Sequence, residues 1–153
     1  MKHPFDEERC ARRLLWEYQN YDRLIVGVDF DNTIKTIKPD SSCDELIDLL
    51  RRCSEDPKIV LCLWTISENQ QELKEKYDYC KSLGIQIDFI NDSPFLAELG
   101  GNKKFFNILL DDRAGLESAY NNLKYVLDNY YTECGFWEDL NLACEKLNIP
   151  KIK

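Results

Sequence analysis

The stretch VGVDFDNTI, residues 26–34, places two carboxylates at the end of an apolar run. Residues 24–28 (LIVGV) are continuously apolar rather than alternating, which reads as a strand buried on both faces. A buried charge is costly unless it is paired or bound to a metal. A strand that finishes on Asp29 and Asp31 therefore either meets solvent there or opens into a site.

The totals narrow the choice. The chain has 153 residues, enough for one domain with a sizeable core. No apolar run reaches the roughly 18 to 20 residues that span a bilayer, so no membrane partner is expected. The opening MKHPFDEERCARR lacks the apolar centre of a secretory signal. Seven cysteines, an odd number and never spaced as CxxC, argue against a zinc site or a disulfide framework. They read as reduced thiols, and the expected location is cytoplasmic. A net charge of −8 gives no general pull toward nucleic acid or anionic lipid. The only histidine is His3, near the terminus, so catalysis by Ser-His or Cys-His pairs has almost no raw material. Any catalysis must run on carboxylates, lysines and hydroxyls, with or without a bound ion.

The elements alternate outward from the first strand. Residues 6–19 form an amphipathic helix, and residues 33–38 (TIKTIK) suggest a short ribbon. Ser42 to Glu45 has the Ser-x-x-Glu form of a capping box before a helix to about residue 53. Residues 59–64 (IVLCLW) are a second strand, ending at Thr65. Ser67 to Gln70 precede a helix that Gly84 ends. Strands follow at 85–90 and 105–110, then helices at about 114–130 and 137–147. This order predicts an α/β fold: a Rossmann-like, mainly parallel sheet of about four strands with helices on both faces, plus N- and C-terminal helices. We expect a single domain, with residues 1–22 a helical extension, 23–112 the core and 113–153 the closing helices.

Crossovers are right-handed, so the carboxyl ends of parallel strands share one edge, where ligands bind. The residues delivered there are Asp29, Asp31, Thr65, Asp111 and Asp112. Four carboxylates at one edge repel, and a hard divalent cation relieves the repulsion. Taken singly, each has a plainer reading. An Asp after a strand is common in turns, Thr65 could be a simple strand-end hydroxyl, and Asp111-Asp112 could cap a helix at Ala114.

As a set, they carry a resemblance. DFDNT resembles the DxDx[TV] first motif of the haloacid dehalogenase-like hydrolase superfamily. LCLWT resembles its second motif, Lys103 its third-motif lysine, and NILLDD its fourth motif. The motifs occur in the family's order over residues 24–112, about three fifths of the chain. The resemblance implies a Mg2+-dependent phosphatase. Asp29 is then the nucleophile and a metal ligand, and Asp31 the general acid/base, offering its backbone carbonyl to the metal. Thr65 holds the phosphoryl oxygens and Lys103 offsets their charge, with Lys104 its rival. Asp111 binds the metal directly, and Asp112 through water or as a second ligand. Asn32, Thr33, Thr65 and Lys103 are the expected substrate contacts.

Neither the interval 29–65 nor 65–103 has room for the cap domain that many family members carry. An open site suits a large or polymeric substrate: a nucleic-acid end, a phosphoprotein, or otherwise a small phosphate ester. The loop 91–102, with Phe95, Leu96 and Leu99, is a candidate lid or contact between copies in a homo-oligomer. A phosphotransferase or phosphomutase, or a non-catalytic metal-binding scaffold on the same fold, is the alternative. A signalling receiver also gathers acids, a Thr and a Lys, but its acidic pair follows the first strand, not the fourth.

Overall fold

The computed structural model describes residues 6–38, 42–92 and 105–131. Their strands are β1 (Leu24–Asp29), β2 (Ile59–Trp64), β3 (Phe89–Ile90) and β4 (Ile108–Leu110). Their helices are α1 (Glu7–Asn20), α2 (Asp44–Glu55), α3 (Gln70–Ser82) and α4 (Leu116–Asn129). The strands form one parallel sheet in the order β3-β2-β1-β4, the expected α/β, Rossmann-like architecture. The helix expected over 137–147 and the loop 93–102 lie outside the described residues. Among the described residues, no helix is long and apolar enough to cross a membrane.

The pleat divides the sheet's side chains between two cores. Leu24, Val26 and Val28 of β1 join Ile59, Leu61 and Leu63 of β2, and the buried side chains of α1, α2, α3 and α4 pack with them. Ile25, Val60 and Cys62 form a smaller cluster on the other face with Phe89 and Phe106. Gly27 points to that face, and a Cβ there would lie 2.9 Å from the Phe106 ring. Helix α1 is part of the main core rather than an appendage, since Leu14 and Leu15 are fully buried. Each such side chain contributes about 1.5–3 kcal/mol.

Two strands are shorter than their apolar runs. Of residues 85–90, only Phe89 and Ile90 form regular strand. The Leu61 amide donates to the Asp88 side chain at 2.9 Å, and the Gln86 amide to the Ser54 hydroxyl at 2.9 Å. These side chains satisfy groups that a longer ladder would have paired. The same happens before β4: buried Asn107 accepts from the Ile25 amide through Oδ1 at 2.7 Å and donates to Glu17 through Nδ2 at 2.9 Å. Asn107 thereby fixes the start of β4 to β1 and to α1.

Two local expectations also change. Helix α2 is capped at Cys43 with no side-chain cap bond, so the Ser42–Glu45 capping box does not form; the Ser42 hydroxyl instead accepts from the Asp44 amide. The expected ribbon at 33–38 is instead a tight loop. Asn32 turns the chain with φ 63°, and the Phe30 carbonyl accepts from both Ile34 and Lys35 amides. Helix α3 starts as read: the Asn69 side chain accepts from the Gln71 and Glu72 amides. Gly84, at φ 77°, follows its end in the left-handed conformation that favours glycine.

Candidate active site

Strand β1 connects onward to β2 and β3 on one side, while β4 lies on its other side. The strand order therefore reverses between β1 and β4, and the crevice outside their carboxyl ends is where such sheets bind ligands. Asp29 ends β1, Thr65 follows β2, and Asp111 and Asp112 follow β4. The sheet brings all four to one edge.

Thr33 ties the two acidic ends together. It is fully buried, its hydroxyl donates to Asp29 Oδ2 at 3.1 Å, and it accepts from the Asp112 amide at 3.1 Å. Its hydroxyl is therefore spent on the Asp29 carboxylate and the Asp112 backbone, whereas the sequence reading gave it to substrate. Asn32 beside it is exposed, and its amide donates to the Lys35 carbonyl at 2.8 Å.

Asp111 and Asp112 do not cap a helix. The N-cap of α4 is Gly115, and Asp111 Oδ1 instead accepts from the Arg113 amide at 2.8 Å. The plainer reading of this pair fails, and the acids remain at the sheet edge.

Thr65 is held from both sides. Its amide donates to Asn91 Oδ1 at 2.8 Å, and Asn91 Nδ2 donates to the Ser67 carbonyl at 3.1 Å. Asn91 itself sits at φ 51°, a conformation asparagine tolerates better than most side chains. The Thr65 hydroxyl accepts from Lys76 Nζ at 2.8 Å, and the same ammonium donates to Asp31 Oδ2 at 2.6 Å. It also lies 4.9 Å from the Phe30 ring centroid.

Lys76 is the residue that sequence reasoning missed. Lys103 and Lys104, the expected sources of positive charge, lie outside the described residues. The available signal was helical phase: Lys76 stands four and seven residues before Cys80 and Leu83, which belong to or pack against the core. A lysine on that face of α3 points inward, unlike Lys74, which pairs with Asp78 on the exposed side.

The electrostatics centre on Asp29. Burial pushes its carboxyl above the ordinary value, the Thr33 hydroxyl and Phe30 amide pull it back, and the charges of Asp111 and Asp112 push it up again. Among the described residues, no lysine or arginine forms an ion pair with it. No three His, Cys, Asp or Glu side chains among them close on one point as a metal cage. Mg2+ does not require one, because it commonly takes one or two carboxylates and keeps waters and substrate oxygens. A half-buried carboxylate with two like charges nearby and, among the described residues, no cationic partner suits such an ion.

No family model matches the sequence, and comparison with curated proteins and with solved structures returns no match.

Proposed function

We propose that this protein is a Mg2+-dependent phosphatase of the haloacid dehalogenase-like type, hydrolysing a phosphomonoester through an aspartyl-phosphate on Asp29. The observation that carries the reading is one ammonium, Lys76, bonded to both Asp31 and Thr65 at the sheet edge where Asp29 ends β1. Strand-end acids alone are common; acids, hydroxyl and lysine brought together from separate elements at a strand-order reversal are not.

In the proposed reaction, an Asp29 carboxylate oxygen attacks phosphorus and the bond to the leaving oxygen breaks. Asp31 gives that oxygen its proton. A water then attacks the phosphorus of the aspartyl-phosphate, Asp31 takes a proton from it, and the bond to Asp29 breaks to release inorganic phosphate. Thr65 donates to a phosphoryl oxygen, and Lys76 supplies the positive charge assigned from the sequence to Lys103. Thr33 holds Asp29 and the Asp112 backbone in register. Asp29, Asp111, Asp112 and the Asp31 carbonyl are the groups that would hold Mg2+, which when bound offsets charge on the phosphoryl oxygens. Cys43, Cys53, Cys62 and Cys80 are present as thiols, which supports a reducing, cytoplasmic setting.

Acid quenching with substrate labelled in its phosphoryl group tests the intermediate. Label should attach covalently to the wild type, be removed by hydroxylamine, and be absent from Asp29→Asn. Labelling that survives this substitution would place the nucleophile elsewhere.

A further inference from the structure

Asp31 and Lys76 also line a cleft of about 520 Å³ between the turn at residues 30–37 and α3. That volume lies in the ordinary range for small-ligand sites. Its lining includes neither Asp29 nor Asp111 nor Asp112, so it opens on the Asp31 side of the site. Asp31 is the residue that protonates the leaving oxygen, and whatever is bonded to that oxygen must sit beside it. We propose that this cleft receives the leaving group and selects a neutral, hydroxyl-rich, sugar-like ring. The inference rests on the phosphatase reading and adds the substrate class.

The lining excludes the charged alternatives. A cationic leaving group would need aromatic faces or unopposed carboxylates, but Lys35 Nζ stands 5.2 Å from the Tyr79 ring centroid and Lys76 stands 4.9 Å from that of Phe30. Two ammonium groups already occupy those positions. A second phosphate on the leaving group would meet three carboxylates, Asp31, Glu72 and Glu75, against the two ammonium groups of Lys35 and Lys76, so the cleft disfavours it.

Hydroxyl groups suit what remains, because each both donates and accepts. Glu72 accepts from Ser67 and Glu75 from Gln71 Nε2, each through one oxygen, which among the described residues leaves a second acceptor oxygen on each. The Lys35 ammonium offers donors. Ile37, 74% exposed, gives the cleft an apolar edge against which the carbon face of a ring can lie. A ring of this kind is met as a free sugar phosphate or as the terminal sugar of a nucleic acid.

The test is a selectivity measurement on the full chain with Mg2+. It compares kcat/KM for glucose 6-phosphate, ribose 5-phosphate and a nucleoside 3′-monophosphate with that for phosphocholine and fructose 1,6-bisphosphate, using p-nitrophenyl phosphate as reference. The best sugar ester should exceed both charged competitors by about tenfold or more, the worth of one hydrogen bond to a charged group. Glu75→Ala should lower the ratio of sugar ester to p-nitrophenyl phosphate by a similar factor, and Lys35→Ala should raise the relative rate on phosphocholine. Preference for phosphocholine or the bisphosphate, or ratios unmoved by both substitutions, would overturn the inference. If Asp29-dependent release from p-nitrophenyl phosphate persists alongside that result, only the cleft assignment falls. If no ester is hydrolysed at all, the phosphatase reading falls with it.

Discussion

Lys76 Nζ lies 2.6 Å from Asp31 Oδ2, joining the second turn of helix α3 to the loop after β1. The lysine side chain is 15% exposed and the aspartate 54%, so the pair is a held cation beneath a carboxylate that faces solvent. Packing and two acceptors fix the ammonium beside Thr65, where in the proposed reaction a phosphoryl group would gather negative charge. Lys76→Met should lower kcat by about 10²–10³-fold, the usual loss on removing one charge-stabilising donor. Steady-state kinetics with circular dichroism to check folding reads the outcome. Lys103→Ala and Lys104→Ala should cost far less, and the reverse ranking would return the role to the pair chosen from sequence.

Asp31 has a separate signature. If it protonates the leaving oxygen, its removal matters most when that oxygen leaves as a poor, alkoxide-like group. Asp31→Asn should lower kcat by about 10²–10⁴ on an alkyl phosphate, and by clearly less on p-nitrophenyl phosphate, whose phenolate leaves without help. Equal losses on both substrates would show that Asp31 acts otherwise.

How much of this is legible in the sequence depends on what ends each element. Strands β1 and β2 are plain because their apolar runs are unbroken and each stops at a polar residue on the sheet edge, which is also why Asp29 and Thr65 are legible. The lengths of β3 and β4 are not, because Asp88 and Asn107 replace ladder bonds with side-chain bonds, and a hydrophobic run cannot reveal that. Lys76 hides in QQELKEKYDYC, a charged stretch that reads as a solvated face. Only the phase of α3 relative to β2 separates it from Lys74. Thr33 is visible as part of the first motif, but its burial beneath Asp29 and Asp112 comes from the turn at Asn32, which the alternation of TIKTIK disguises.

The buried Thr33 hydroxyl is both donor and acceptor, so its loss leaves the Asp112 amide without its bond and frees Asp29. Thr33→Val should cost about 1–3 kcal/mol of stability, the penalty for an unsatisfied buried partner, and should lower activity as well. Thr33→Ser keeps the hydroxyl and should restore most of the activity. Urea denaturation and kinetics on both variants measure this, and a fully active valine variant would refute the positioning role.

The buried thiols predict the alkaline limit of stability. Burial pushes Cys53 up to about 12 and Cys80 up to about 11, from an ordinary 9.0. In the unfolded chain both ionise near the ordinary value, so above it the unfolded state binds fewer protons than the folded one. Their contribution is complete below about pH 9 and is lost as pH rises through the folded values, by up to about 1.4 kcal/mol per pH unit for each thiol. Denaturant midpoints measured with reductant from pH 7 to 10.5 should hold level and then fall. A midpoint still level at pH 10.5 would contradict the burial of these thiols.

The central claim is that the edge where β1 ends on Asp29 is a phosphoryl-transfer site, and phosphate release tests it most directly. Release is measured from p-nitrophenyl phosphate, sugar phosphates, nucleotides, phosphorylated oligonucleotides and phosphopeptides, with Mg2+ and with chelator, on the wild type and on Asp29→Asn. The account predicts release by the wild type that stops on chelation and is absent in the folded Asp29→Asn variant. A folded, Mg2+-supplied wild type that releases phosphate from none of these esters, or release that persists in Asp29→Asn, would contradict it.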